Sequence, residues 1–217
     1  MMKCSFCEEY LEPQNSQYYI KIGRDIGMHS RVLMETNNWF AIPTMGCLTV
    51  GYVLVVCKQH YQSLANLNQE LYQEMLSLKG MVEDKLKKEL GLECLAFEHG
   101  VTAPCYSGAN SVDHVHLHIV PSPKKVWNQL LKEYRMDHFD RIADYDTLFS
   151  KWITNYPQTY MLFQDLDKVL YYKASAYGFP SQFFRKCLAP YFYAEDWNWK
   201  QELYIDNMIE TVKLFKR

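Results

Sequence analysis

Apolar residues in this 217-residue chain follow two different periods. Over Val32–Ile42 and Leu48–Val56 they cluster with β-branched and aromatic neighbours. This predicts two strands separated by the turn residues Pro43-Thr44-Met45-Gly46. Further on, Leu67, Leu71, Met75, Leu78, Val82, Leu86 and Leu90 recur three or four apart, a stripe that predicts one long helix over Asn66–Leu90. Asn66 with Gln69 supplies its starting cap and Gly91 its stop. Leu92–Glu98 and Asp113–Val120 read as two more strands, joined by a loop containing Gly100, Pro104 and Gly108. Strands, a long helix and strands again imply an α+β fold, an antiparallel sheet packed on that helix.

Beyond Pro121 the pattern changes. Val126–Tyr134 and Tyr145–Ile153 are predicted helices, Tyr160–Phe163 and Val169–Lys173 a hairpin about Asp165-Leu166-Asp167-Lys168, and Gln201–Lys216 a closing helix. Pro180 stands where a helix begins, which places Ser181, Gln182 and Arg185 in its first turns. Gln182 and Arg185 then share a face near a helix N-terminus, where anions are favoured, which offers an amide and a guanidinium to a phosphate or a base. The plainer reading is a surface helix with Phe183 and Phe184 in the core. Trp197-Asn198-Trp199 reads as packing rather than as a base-stacking platform.

Composition sharpens the division. Only 11 of the 33 aromatic residues lie in residues 1–121, against 22 in 122–217. The first part carries nine Lys and Arg against thirteen Asp and Glu, the second fourteen against twelve. A catalytic unit over 1–121 followed by an aromatic-rich α+β extension over 122–217 is therefore expected. The formal net charge of −2 provides no bulk field for nucleic acid or anionic membrane, so phosphate must be recognised by a local site. The N-terminal residues lack the apolar run of a signal peptide, and the most apolar stretch, Val50–Cys57, is too short to span a bilayer. Seven cysteines, five of them scattered singly, fit free thiols in a reducing cytoplasm.

Candidate chemistry concentrates in Asp113-His114-Val115-His116-Leu117-His118-Ile119-Val120. On a strand, His114, His116 and His118 share one face and Val115, Leu117 and Ile119 the other. Three imidazoles are costly in a core because each titrates near neutrality and needs a partner when buried. An exposed polar strand face is the bland reading. The chemical readings are a metal held by histidines two apart, as in a zinc hydrolase, or a nucleophilic imidazole that attacks phosphorus while a flanking histidine assists.

The alternation of histidine and apolar residues resembles the signature of the histidine-triad superfamily of nucleotide hydrolases and transferases. The resemblance extends to Gly51–His60, a glycine-led strand ending in lysine, any residue, histidine; to Leu95–Gly100, a strand ending beside the nucleotide; and to the small-residue run Gly108–Val112. It implies His116 as nucleophile, His118 as the residue assisting at the phosphate and leaving group, and Ser111 as a phosphate contact. Glu98 and His99 are then expected at the substrate, with Gln182 and Arg185 joining from the extension. A third histidine looks more like the hydrolase side, since the transferase branch usually has glutamine there. Tyr52 departs from the family, many members having histidine after the glycine, and Glu98-His99-Gly100 is closer to the transferase-like branches. The expected ligand is a nucleotide or nucleotide conjugate, cleaved at its α-phosphate. Transfer to phosphate or a sugar phosphate, and a non-catalytic nucleotide- or RNA-binding adaptor, are the alternatives.

Cys4 and Cys7 form a Cys-x-x-Cys pair, too few ligands alone for zinc and without the strand–helix setting of a redox pair. In several branches of the superfamily a similar pair completes a zinc site with two histidines, which implies a structural zinc on Cys4, Cys7, His60 and His114. Two free thiols and an exposed His60 are the alternative. Family members often work as dimers, so a homodimer is expected, or a monomer in which the extension replaces the partner.

Overall fold

The computed structural model describes residues 4–102, 113–123, 127–134 and 138–217. Among the described residues, eight strands form one antiparallel sheet: β1 (Met34–Glu35), β2 (Trp39–Pro43), β3 (Val53–Cys57), β4 (Cys94–Val101), β5 (His116–Pro121), β6 (Asp140–Ile142), β7 (Thr159–Gln164) and β8 (Leu170–Lys173). Their order across the sheet is β1-β2-β3-β5-β4-β7-β8-β6. The helices are α1 (Ser5–Leu11), α2 (Gln69–Leu90), α3 (Trp127–Tyr134), α4 (Tyr145–Thr154), α5 (Phe183–Leu188) and α6 (Ile205–Phe215). The α+β expectation holds, and the hairpin β7–β8 continues the sheet past β4, with Phe97 opposite Phe163 and His99 opposite Met161.

Several boundaries differ from the sequence expectation for local reasons. The strand expected over Val32–Ile42 is a hairpin, β1–β2, because Thr36-Asn37-Asn38 turns the chain back. Thr36 N–H donates to the Trp39 carbonyl at 2.8 Å, and the Glu74 carboxylate holds Asn38 through its backbone N–H and side-chain amide. β3 begins at Val53 rather than Leu48, after a turn in which Tyr52 N–H bonds the Thr49 carbonyl. Helix α2 is capped by Asn68, whose side chain accepts from Leu71 N–H at 2.9 Å, and ends at left-handed Gly91. Asn66 instead closes the short turn Leu64–Asn66 with Ser63.

Two corrections concern the extension. Gln182 does not lie in the first turn of a helix. It adopts φ 60° and immediately precedes α5, so the helix expected from Pro180 starts at Phe183. Left-handed Tyr204 likewise delays α6 to Ile205, leaving Leu203 in a loop, where its carbonyl accepts from Cys47 N–H. Helix α1 and strand β6 had no clear periodic signal.

Both faces of the sheet are buried. Leu71, Met75, Leu78, Val82 and Leu86 of α2 pack with Leu148 and Trp152 of α4 on one face, against Val53, Val55, Leu117 and Ile119. Phe6 of α1, Tyr18, Ile22, and Phe183, Phe184 and Leu188 of α5 cover the other, against Leu54, Val56, Leu95 and Phe97. Each fully buried large apolar side chain contributes roughly 1.5–3 kcal/mol, which fixes which way β5 faces. Among the described residues, no helix is long and apolar enough to cross a membrane.

Candidate active site and metal cluster

β5 lies between β3 and β4, with His118 opposite Leu54 and Phe97, and His116 opposite Val56. Leu117 and Ile119 point to α2, so His116 and His118 face the side covered by α1 and α5. They stand 4.9 Å apart, ring centre to ring centre. His116 Nδ1 lies 2.6 Å from the His114 carbonyl. A carbonyl only accepts, so the proton sits on Nδ1 and the Nε2 lone pair is left for the pocket. Burial lowers the pKa of His116, and the His114 carbonyl pulls against it. His118 Nδ1 lies 2.7 Å from the Tyr52 hydroxyl, and its ring stacks on Phe97 at 4.4 Å and 11°. Burial, then His116 and Arg185, hold His118 well below the usual histidine range. Both imidazoles are therefore neutral near pH 7, the state a nucleophile needs.

His114 precedes the ladder, anchored by Val115 N–H to the Tyr61 carbonyl. Its Nε2–H donates to the Cys57 carbonyl at 2.7 Å, which turns the Nδ1 lone pair towards Cys4 Sγ at 3.2 Å and Cys7 Sγ at 3.5 Å. His60 Nδ1 lies 3.4 Å from Cys7 Sγ. The four donor atoms of Cys4, Cys7, His60 and His114 all fall within 4.8 Å of one another. Two thiols and two imidazoles, one held in the right tautomer by a backbone acceptor, form a donor set suited to zinc. Burial, and then the neighbouring Cys4, push the Cys7 thiol up to about 12. Close packing of two thiols without a cation is thus unfavourable for ionisation.

The cluster also builds the pocket. It seats α1, whose Phe6 ring stands 5.7 Å from His114 and 5.2 Å from His116. One turn on, Glu9 pairs with buried Arg31 through two hydrogen bonds of 2.6 and 2.8 Å, cancelling that charge. Arg185 differs. It is only 3% exposed and lines the same pocket as His99, His116 and His118. Its Nε and Nη2 donate to the carbonyls of Trp197 and Gly46, at 3.1 and 2.6 Å. Among the described residues it makes no ion pair, and its Nη1 has no partner. Gly46, at φ +67°, makes this fit possible, since a Cβ there would lie 2.7 Å from Arg185 Nη2 and 2.5 Å from Trp199 Cβ.

The remaining expected residues divide. His99 lines the pocket with both ring nitrogens unpartnered among the described residues, and burial lowers its pKa to about 4. Gln182 also lines it, but its amide is occupied by Asn198 and by Trp199 N–H. Glu98, expected at the substrate, is not brought there. Strand alternation turns it to the α2 face, where it accepts from Leu64 N–H and the Tyr160 hydroxyl. Ser111 lies outside the described residues. Trp199, expected only to pack, lines the pocket with Lys21 and Lys200 near its ring.

The family description of the HIT domain matches residues 27–125. Residues 27–125 are a HIT domain. The chain is similar in structure to a hypothetical histidine triad nucleotide-binding protein from Sulfolobus tokodaii, at 17% identity, covering 54% of this chain and 68% of that one, with a TM-score of 0.39. A Zn-bound histidine triad family protein from Mycobacterium smegmatis is 20% identical over 55% of this chain and 75% of that one, TM-score 0.38. A HIT family hydrolase from Clostridium thermocellum is 16% identical over 56% and 92%, TM-score 0.35. Among curated proteins, none matches the chain in sequence. Cys4 and Cys7 lie before the HIT domain, and Gln182 and Arg185 after it. The pocket is thus completed by elements on both sides of the matched segment. The sequence reading missed Glu9, Arg31, Phe97 and Gly46 in this role. Gly46 left a trace there as a turn glycine, and Phe97 as part of the predicted strand Leu92–Glu98.

Proposed function

We propose that the chain is a nucleotide-conjugate hydrolase that cleaves at the α-phosphate through a nucleotidyl-histidine intermediate. The observation that carries this reading is the 2.6 Å contact from His116 Nδ1 to the His114 carbonyl, which leaves Nε2 unprotonated in a pocket also lined by Arg185, buried and, among the described residues, without an ion pair. His116 Nε2 attacks phosphorus, and the N–P bond forms as the bond to the leaving group breaks. The charge that develops on the ring is held through Nδ1–H by the carbonyl. Arg185 and His99 face the substrate, and His118 with Ser111 stabilises the phosphoryl oxygens and the leaving group. Water then cleaves the N–P bond, releasing a nucleoside monophosphate and restoring His116.

Zinc held by Cys4, Cys7, His60 and His114 would be structural, since four protein ligands leave no open position for substrate. The chemistry above therefore belongs to the chain's own residues, and the metal's part is to fix α1 and His114.

Incubation of the protein with a panel of nucleotide conjugates, alongside His116→Asn, tests the reading. An acid-labile nucleotidyl adduct and monophosphate product are expected with the wild type and absent from the variant. Equal turnover by the variant would end the proposal. Adding phosphate or a sugar phosphate distinguishes transfer from hydrolysis, because a transferase would release a nucleotidylated acceptor.

A further inference from the structure

Tyr52 is wholly buried beneath the pocket, and its hydroxyl lies 2.7 Å from His118 Nδ1. The imidazole is held against rotation by Phe97, stacked on it at 4.4 Å and 11°. Either partner of the Tyr52–His118 hydrogen bond is able to supply the proton, and the two choices give His118 opposite tautomers. Two neighbouring features decide between them. The Arg185 guanidinium carbon lies 5.4 Å from the Tyr52 ring centre, and its charge favours the phenol's oxygen lone pairs on that side. Guanidinium has donors only, so the phenolic proton has no reason to point towards it. In addition, among the described residues no acceptor other than His118 is bonded to the Tyr52 hydroxyl. A phenol that accepted from Nδ1–H would bury its own proton without a partner, which is costly. Burial keeps that proton on Tyr52, raising its pKa to about 12.

We infer that Tyr52 is a positioning residue: it donates to His118 Nδ1 and so fixes His118 as the Nε2–H tautomer, a hydrogen-bond donor to phosphate in the pocket. The two imidazoles, alike in sequence, then have opposite roles. His116 is fixed by a backbone carbonyl as a lone-pair donor at Nε2, and His118 is fixed by a phenol as a proton donor at Nε2. Placed side by side, they match the two demands of an attacked phosphate, a nucleophile at phosphorus and a donor to its oxygens. The extension takes part through Arg185, whose position orients the phenol. The catalytic consequence rests on the hydrolase reading above, but the tautomer does not.

The test is ¹⁵N NMR of protein with labelled histidine, the His118 signals being assigned from His118→Asn. The resting wild type is expected to show His118 protonated on Nε2 and bare on Nδ1. In Tyr52→Phe, which keeps the ring and removes the donor, His118 is expected to populate both tautomers. The kcat for the nucleotide conjugate should fall at least about tenfold, short of the roughly 10²–10⁴-fold that loss of an acid–base group costs, with KM within about twofold. A wild-type His118 protonated on Nδ1 overturns the inference. So does a Tyr52→Phe protein that keeps a single Nε2–H tautomer or the wild-type kcat. If no conjugate is turned over, the hydrolase reading fails alone and the spectrum still decides this one. If Tyr52→Phe does not fold, the wild-type spectrum decides it.

Discussion

Arg185 and Glu98 are both charged in type and buried, yet their surroundings assign them opposite work. Arg185 has two carbonyl acceptors and, among the described residues, no carboxylate, so its positive charge remains available to an anion that enters. Charge-assisted hydrogen bonds contribute roughly 1.5–3 kcal/mol. Arg185→Gln is therefore expected to weaken binding of a nucleoside monophosphate about 10- to 100-fold by calorimetry, and unchanged affinity would remove Arg185 from the site. Glu98 is held away from the pocket, and burial pushes its pKa from 4.5 up to about 8 against the pull of its donors Tyr160 and Leu64. Between those values the folded protein keeps a proton that the unfolded chain has lost. The stabilisation from protonated Glu98 is thus complete below about pH 4.5 and gone by about pH 8. Denaturant unfolding at pH 5 and pH 8 should show the wild type losing stability relative to Glu98→Gln as pH rises. Histidine contributions, common to both proteins, cancel in that difference, and a constant difference would refute the assignment.

Helix α1 shows how an element can be functional without strong periodicity. Its seven residues bury only Phe6, too little to hold a helix this short by packing alone. It is tied instead at Cys4 and Cys7 and by the Glu9–Arg31 pair. Cys7→Ser, or chelation, is expected to remove the proposed zinc and loosen α1. Hydrogen exchange over residues 5–11 should quicken and nucleotide affinity fall while α2 stays protected. Unaltered exchange in α1 would show that the cluster does not seat it. The same contrast explains what was legible in the sequence. Helix α2 was visible because its stripe repeats through 22 residues, and β5 because histidines alternate with Leu117 and Ile119. Strand β6, three residues long, is too short for any period to register. Gln182 was misplaced because proline marks a permitted helix start and not a required one. The left-handed turn that postpones α5 is set by the bonds of Gln182 to Asn198 and Trp199, which are distant in sequence.

At the scale of the whole molecule, the pocket draws on one chain from end to end: α1, the HIT domain strands, and α5 with the loop bearing Trp199. Such a pocket does not need a second copy to supply its cation. Light scattering with sedimentation is expected to find an active monomer. A stable dimer whose interface covers His116 and His118 would show instead that the extension does not stand in for a partner. The triad was legible because its motif is local. The enclosing walls were not, since Arg185 reaches Gly46 across 139 residues and Cys4 meets His114 across 110.

That long reach has a consequence for the order in which the protein is made. Cys4 and Cys7 are synthesised well before His60 and His114, which follow 53 and 107 residues after Cys7. Until β5 exists, the donor set lacks His114, and α1 is held only by contacts such as the Glu9–Arg31 pair. Closing loops of that length is slow compared with forming α2, whose contacts are local. The pocket's first-made wall therefore cannot be set in place until β5 has been made, and the wall bearing Arg185, which reaches back to Gly46 across 139 residues, is made later still.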